Sequence, residues 1–239
     1  MTTNRKTWDS FEAMRQAAQE GDPQAQCYLG VCYQNGQGVE HNPQEAVKWF
    51  RRAAEQNDPV AQCYLGVCYW VGQGVPQEFG EAAKWLREAA EQGDPAAQFN
   101  LGMLYETGQG VAQNYPEAVK WYRESAQRGY PAAQFNLGVF YESGQVVAQN
   151  YAEAARWYLA AAEQELADAQ CNLGLCYQTG RGVEKDPSMA VRWFIKAARQ
   201  GNKTAQHNLG LHYASVEVAE KAAAKAVEKA AKDAIKNPH

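Results

Sequence analysis

Apolar and polar positions along this chain follow one long period. Leu29, Leu65, Leu101, Leu137, Leu173 and Leu209 recur every 36 residues, and each is followed by glycine. Tyr33, Tyr69, Tyr105, Tyr141, Tyr177 and Tyr213 keep the same step, as do Trp49, Trp85, Trp121, Trp157 and Trp193. No insertion breaks the count, so five full units can be cut as 21–56, 57–92, 93–128, 129–164 and 165–200. A period of this length without strand alternation predicts stacked helix pairs, in which each unit buries its apolar face only against its neighbours.

Each unit reads as two helices. In the first, helix A runs from about Pro23 to Gln34, with Asp22 as its cap and proline in its first turn. Gly36-Gln37-Gly38, repeated at 72–74 and 108–110 and as Gly180-Arg181-Gly182, stops helix A in the left-handed region and turns the chain. Helix B runs from about Pro43 to Gln56 behind Asn42, whose place is taken later by Asn114, Asn150 and Asp186. Ala25, Leu29 and Tyr33 share one face of helix A. Ala46, Trp49, Ala53 and Ala54 form the opposing stripe of helix B, and Gly30 lets the two approach closely.

Ala25, Leu29, Gly30, Tyr33, Gly36, Gly38 and Val39, followed by Ala46, Trp49, Ala53 and Ala54, resemble the Sel1-like repeat, a relative of the tetratricopeptide repeat. The resemblance covers about residues 8 to 213. It implies an all-α fold, an alpha-alpha superhelix (solenoid) of 36-residue helix-pair repeats, right-handed, with the A helices lining a concave surface. It also implies an adaptor role. A cysteine-rich extracellular branch of the family staples its two helices with disulfides. Here no B helix holds a cysteine, so the likeness to that branch, and to its lactamase-like associations, is weak.

The ends and two junctions depart from the pattern. Residues 1–20 read as an unpaired helix B that caps the stack through Phe11 and Met14; residues 21–200 are the five repeats. Residues 201–239 read as a partial sixth repeat with a capping helix rich in Ala, Glu and Lys, whose sharper reading is weak self-association or partner binding. Val146 replaces the second loop glycine of the fourth unit and predicts a different turn. Glu165 and Ala167 replace Gly and Pro, which predicts a longer helix through 161–167 and a local change of superhelix angle.

Composition narrows the chemistry. Lys and Arg number 23 against 27 Asp and Glu, a formal net charge of -4 without a basic run, which argues against nucleic acid. No apolar run approaches the ~18 residues of a membrane span. The amino terminus lacks an apolar signal region, so a cytoplasmic location is expected. Six cysteines fall in three pairs, Cys27/Cys32, Cys63/Cys68 and Cys171/Cys176, each five apart on one helix. Their side chains then point about 140° apart, unsuited to a disulfide or to metal. Phe99/Leu104, Phe135/Phe140 and His207/His212 fill the same slots, so the cysteines read as reduced apolar residues. No catalytic motif emerges, and neither an enzymatic role nor a cofactor is expected.

The outward side of helix A is the functional lead. Turning Leu29 toward helix B leaves rows of side chains that stacking extends from unit to unit. They combine Tyr28, Tyr64, Asn100, Asn136, Asn172 and Asn208 with Val31, Met103, Phe99 and Phe135; a last row holds Trp70, Glu106 and Glu142. Apolar and aromatic groups beside amides suit a peptide or helix: Asn satisfies a backbone while Phe and Trp supply contact area. The two glutamates would select a basic or amino-terminal group. Burial of these rows between repeats is the competing reading. The sequence therefore points to a protein-interaction scaffold with a protein or peptide partner. A lactamase-like or other hydrolase, or a purely structural or engineered repeat, are the alternatives.

Overall fold

A computed structural model describes Trp8, residues 10–214 and Lys225. The described residues contain helices and no strand, and they fall into two compact units. The first holds α1 (Phe11–Gln19), α2 (Pro23–Asn35), α3 (Pro43–Glu55), α4 (Pro59–Val71), α5 (Phe79–Glu91), α6 (Pro95–Thr107), α7 (Tyr115–Gln127) and all but the last residues of α8 (Pro131–Ser143). The second holds residues 141–143, α9 (Tyr151–Glu163), α10 (Ala167–Thr179), α11 (Pro187–Arg199) and a further helical stretch at 203–214. In each unit, consecutive helices pack in chain order, the arrangement of an α-α solenoid. The Ala, Glu and Lys tail lies outside the described residues apart from Lys225.

Local chemistry sets the helix ends. The Asp22 side chain accepts from the Ala25 amide at 2.9 Å, and Asn42 does the same for Glu45 at 3.1 Å. Gly36 ends α2 at φ 69°, and the Gln37 amide then reaches back to the Cys32 carbonyl. Val146 is absent from the positive-φ positions that Gly38, Gly74, Gly110 and Gly182 occupy, so its loop does take another path. The expected extension of helix through 161–167 does not occur. Helix α9 stops at Glu163, and Glu165 enters the left-handed region at φ 64° where other units place Gly or Asn. Packing of the next A helix overrides propensity here. Glu165 is exposed, and a non-glycine residue pays for that backbone geometry. Glu165→Gly is accordingly expected to raise stability by about 1 kcal/mol in urea unfolding; an unchanged midpoint would count against backbone strain at this residue.

Gly30 does let helices A and B approach closely, and the side chain across from it is Phe50: a Cβ on Gly30 would lie 2.6 Å from the Phe50 ring. Leu86, Tyr122 and Phe194 stand in the same relation to Gly66, Gly102 and Gly174. Trp49 instead packs beside Met14, Ala18 and Leu29, closing the seam between α1 and the first pair. Met14 of α1 is buried and Phe11 leans on it, as the capping role requires.

Between repeats a buried glutamine carries the register, and sequence reading passed it over. Gln26, Gln62, Gln98, Gln134 and Gln170 donate to the carbonyls of Ala18, Ala54, Ala90, Ala126 and Ala162 at the end of the preceding B helix. Their own oxygens need a donor. Gln56, Gln92 and Gln200 supply it to Gln26, Gln62 and Gln170 at 2.7–2.9 Å. In the third unit Arg128 takes that place, its guanidinium lies against Gly93, and the Gln98 oxygen is buried without a partner. Arg128→Gln restores the donor and is expected to add about 1 kcal/mol. Combined with Gln98→Leu, the gain should vanish; a gain that survives would place its origin elsewhere.

Candidate functional face of the A helices

The outward stripe of each A helix follows the spacing i, i+4, i+7, i+11. On α2 it is Gln24, Tyr28, Val31 and Asn35; on α4 it is Val60, Tyr64, Val67 and Val71; on α6 it is Ala96, Asn100, Met103 and Thr107. Apolar groups are left uncovered along it. Tyr28 is 44% exposed, Val60 37%, Val71 58% and Val139 39%. Trp8 meets the Tyr28 ring edge-on at 5.6 Å.

The row through Cys27 sits differently from expectation. Cys27, Cys63 and Cys171 are buried, because that flank of helix A turns toward the adjoining repeat rather than outward. Phe99, in the same row, is half-buried against the rings of Tyr122 and Tyr130 at 5.6 and 5.2 Å. Phe135 is half-buried as well. None of the six cysteines forms a disulfide. Burial pushes Cys68 and Cys176 up to about 11 and Cys63 higher still. Such thiols carry little thiolate at neutral pH and make weak nucleophiles or ligands. Among the described residues no cluster of His, Cys, Asp and Glu could hold a metal ion.

Trp70 fills the slot of Gln34 and bridges repeats in the same manner. Its indole Nε1–H donates to Gln109 at 2.8 Å, as Gln34 donates to Gln73 at 3.1 Å. It is half-buried and packs against the cores on either side. Tyr64 stacks on Phe50 with centroids 4.9 Å apart. Both aromatic groups therefore serve packing first and offer an edge to the outside.

The amides and carboxylates are partly committed too. Asn100 Nδ2 approaches the Cys63 sulfur at 3.9 Å. The buried Tyr122 hydroxyl donates to Glu106 at 2.5 Å and is also bonded to Asn136. In the second unit Tyr158 donates to Glu142 at 2.6 Å and contacts Asn172. Burial and the facing carboxylate hold both phenols far above their usual range. Met103, Val31 and Asn208 are half-buried in the outward rows.

Two features of this face escaped the sequence reading. Val60 and Val71 complete an unbroken apolar stripe on α4, legible from the 4-3-4 spacing once the correct face is chosen. Asp58 and Asp94 cap α4 and α6, accepting from the Ala61 and Ala97 amides at 2.8 and 2.7 Å. Burial first, and the aspartate of the preceding repeat last (Asp22 for Asp58, Asp58 for Asp94), raise both above the ordinary carboxylate value, against the backbone amides they cap.

The Sel1 repeat profile matches residues 23–58, 59–94, 95–130, 131–166 and 167–202. Among solved structures, a Sel1 repeat protein from Oxalobacter formigenes is 37% identical, with a TM-score of 0.80, over 84% of this chain and 59% of its own. The protective antigen c5321 of uropathogenic Escherichia coli, described as displaying an SLR fold, is 38% identical with a TM-score of 0.77 over 84% of this chain and 43% of its own. This chain thus spans about half the length of those two proteins. A Klebsiella pneumoniae Sel1 repeat protein, 21% identical at a TM-score of 0.55 over 84% and 97% of the two chains, shares the fold. No curated protein matches. Five consecutive matches over most of its length, on the helix pairs described above, establish that the chain belongs to the Sel1 repeat family.

Proposed function

We propose that the chain is a protein-interaction scaffold that holds a peptide or helix of a partner protein on the outward face of its A helices. The observation that carries this reading is that uncovered apolar side chains recur on that face, Tyr28 on α2, Val60 and Val71 on α4 and Val139 on α8. A solvent-facing stripe has no folding reason to be apolar, and contiguous apolar surface is what partners cover. Tyr28 and its neighbours supply the aromatic area that dominates interface energies. The role needs no bond-making centre, in keeping with buried thiols and with glutamates bonded to tyrosines. A net charge of -4 favours protein over nucleic acid as the partner.

Capture from a lysate on the immobilised chain, read by mass spectrometry, tests the face directly. Tyr28→Ala combined with Val139→Lys should abolish capture of whatever the wild type retains while leaving far-UV circular dichroism unchanged. Lys48→Ala and Lys120→Ala, exposed positions on B helices, should leave capture intact. Equal loss with the B-helix pair would move the interface to the other side.

A further inference from the structure

Helix α4 differs from the other A helices in having an outward stripe that is apolar from end to end: Val60, Tyr64, Val67 and Val71. Its ends, Val60 and Val71, are the more exposed, and its middle is half-buried. The flanking stripes are broken by polar groups, such as Asn35 on α2 and Thr107 on α6. The apolar surface therefore runs along the axis of α4, for about 16 Å or three turns, rather than across successive helices. An extended strand crossing the repeats would meet mixed chemistry and amides such as Asn100 and Asn136, which are already engaged inside the fold. A helix lying along α4 would meet matching side chains at i, i+4, i+7 and i+11.

Charge gives the second half of the fit. At the amino-terminal end of the stripe stand Asp58 and Asp94. A neighbouring carboxylate acts on each, Asp22 on Asp58 and Asp58 on Asp94. Asp58 accepts the Val60 and Ala61 amides, and Asp94 accepts the Ala96 and Ala97 amides and the Cys63 thiol; a carboxylate has about four lone-pair sites, so each keeps room for an incoming donor. Both lie partly out of water, where a cation placed beside them gains more than at an open surface. Neutral amides, Gln73 and Gln109, border the other end.

We propose that the occupant of this face is an amphipathic helix of a partner protein, laid along the α4 stripe with Lys or Arg at the end that meets Asp58 and Asp94. This rests on the scaffold reading above and adds to it the conformation, the charge and the orientation of the partner.

Selection from a displayed library of random peptides of about 16 residues, long enough for the stripe, followed by fluorescence anisotropy on synthetic winners, decides it. Winners should carry apolar residues at helical spacing with Lys or Arg clustered at one end. Exchanging those cations for Glu should weaken binding about tenfold or more, and added salt should do so progressively. Val71→Lys should weaken the same peptides about tenfold with the helical content unchanged. Asp58→Asn with Asp94→Asn, which keeps two good helix caps, should erase the preference for Lys over Glu while apolar dependence survives. Acidic or proline-rich winners, or binding indifferent to Val71, overturn the proposal but leave a scaffold that works through another part of the face. A dimer seen by light scattering and broken by Val71→Lys would put a second copy there and overturn it as well. Enrichment of nothing on any A helix would overturn both readings.

Discussion

Replacing Gly110 by alanine is expected to destabilise the protein by about 4 kcal/mol, whereas the same change at Gly129 should cost only about 1. Both glycines have positive φ, at 71° and 87°, so both substitutions bear the left-handed penalty. They differ in what a Cβ would meet. At Gly129 nothing lies within 4 Å. At Gly110 the new carbon would overlap the Phe79 carbonyl at the start of α5, a backbone group that cannot swing away. Gly74 and Gly182 press on Pro43 and Tyr151 in the same way. The loops after α4, α6 and α10 are thus seated directly on the first turn of the preceding B helix, and this contact spaces those repeats. Val146 shows that the fourth loop can follow another course. In the third loop the Trp70 indole also donates to Gln109 at 2.8 Å. Urea unfolding of the two variants, followed by circular dichroism, should separate them by more than 2 kcal/mol; equal costs would mean that the seat yields and that left-handed strain alone is being measured.

The helix pairs, their caps and the loop glycines could be read from the sequence because each repeats in phase, and a 36-residue echo averages away local ambiguity. Which side of a helix faces which neighbour was harder to read. Adjacent residues on a helix differ by about 100°, and the stripe of Ala46, Trp49, Ala53 and Ala54 leaves out Phe50, the side chain that meets Gly30. The same error of about one residue set the Cys27 row outward, although its cysteines are buried, and left Val60 and Val71 unnoticed. Glu165 shows the opposite failure: local propensity favoured a continued helix, while the stacking of α10 on α9 required the chain to turn. The buried glutamines recur in every repeat, yet an amide is buried only where carbonyls such as those of Ala54 and Ala90 wait for it, and the repeat pattern does not name those carbonyls. For the candidate face, the aromatic and amide rows were legible as positions, but their internal engagements were not.

One of those engagements leaves a trace within the sequence that predicts its energetics. The third and fourth units pair Glu106 with Tyr122 and Glu142 with Tyr158; the first and fifth pair Gln34 with Phe50 and Gln178 with Phe194. A carboxylate stands in this slot only where a hydroxyl lies across from it. Tyr122→Phe should therefore cost about 2 kcal/mol, since it strips a half-buried carboxylate of a charge-assisted bond at 2.5 Å. Tyr122→Ala, which also empties a fully buried site beside Gly102 and Phe99, should cost about 4. Adding Glu106→Gln to Tyr122→Phe reproduces the pairing of the first unit and should recover most of the loss, giving a coupling of about 1–2 kcal/mol in a double-mutant cycle. pH supplies an independent readout. The folded state holds the Tyr122 proton well beyond the usual phenol value, while the unfolded chain releases it near pH ~10. Above that value the unfolded state binds fewer protons, so stability falls as pH rises. The double variant should lose stability less steeply there, with the remaining fall carried in part by Tyr158. Strictly additive single changes, together with an unaltered alkaline slope, would show that the phenol and the carboxylate are neighbours without being partners.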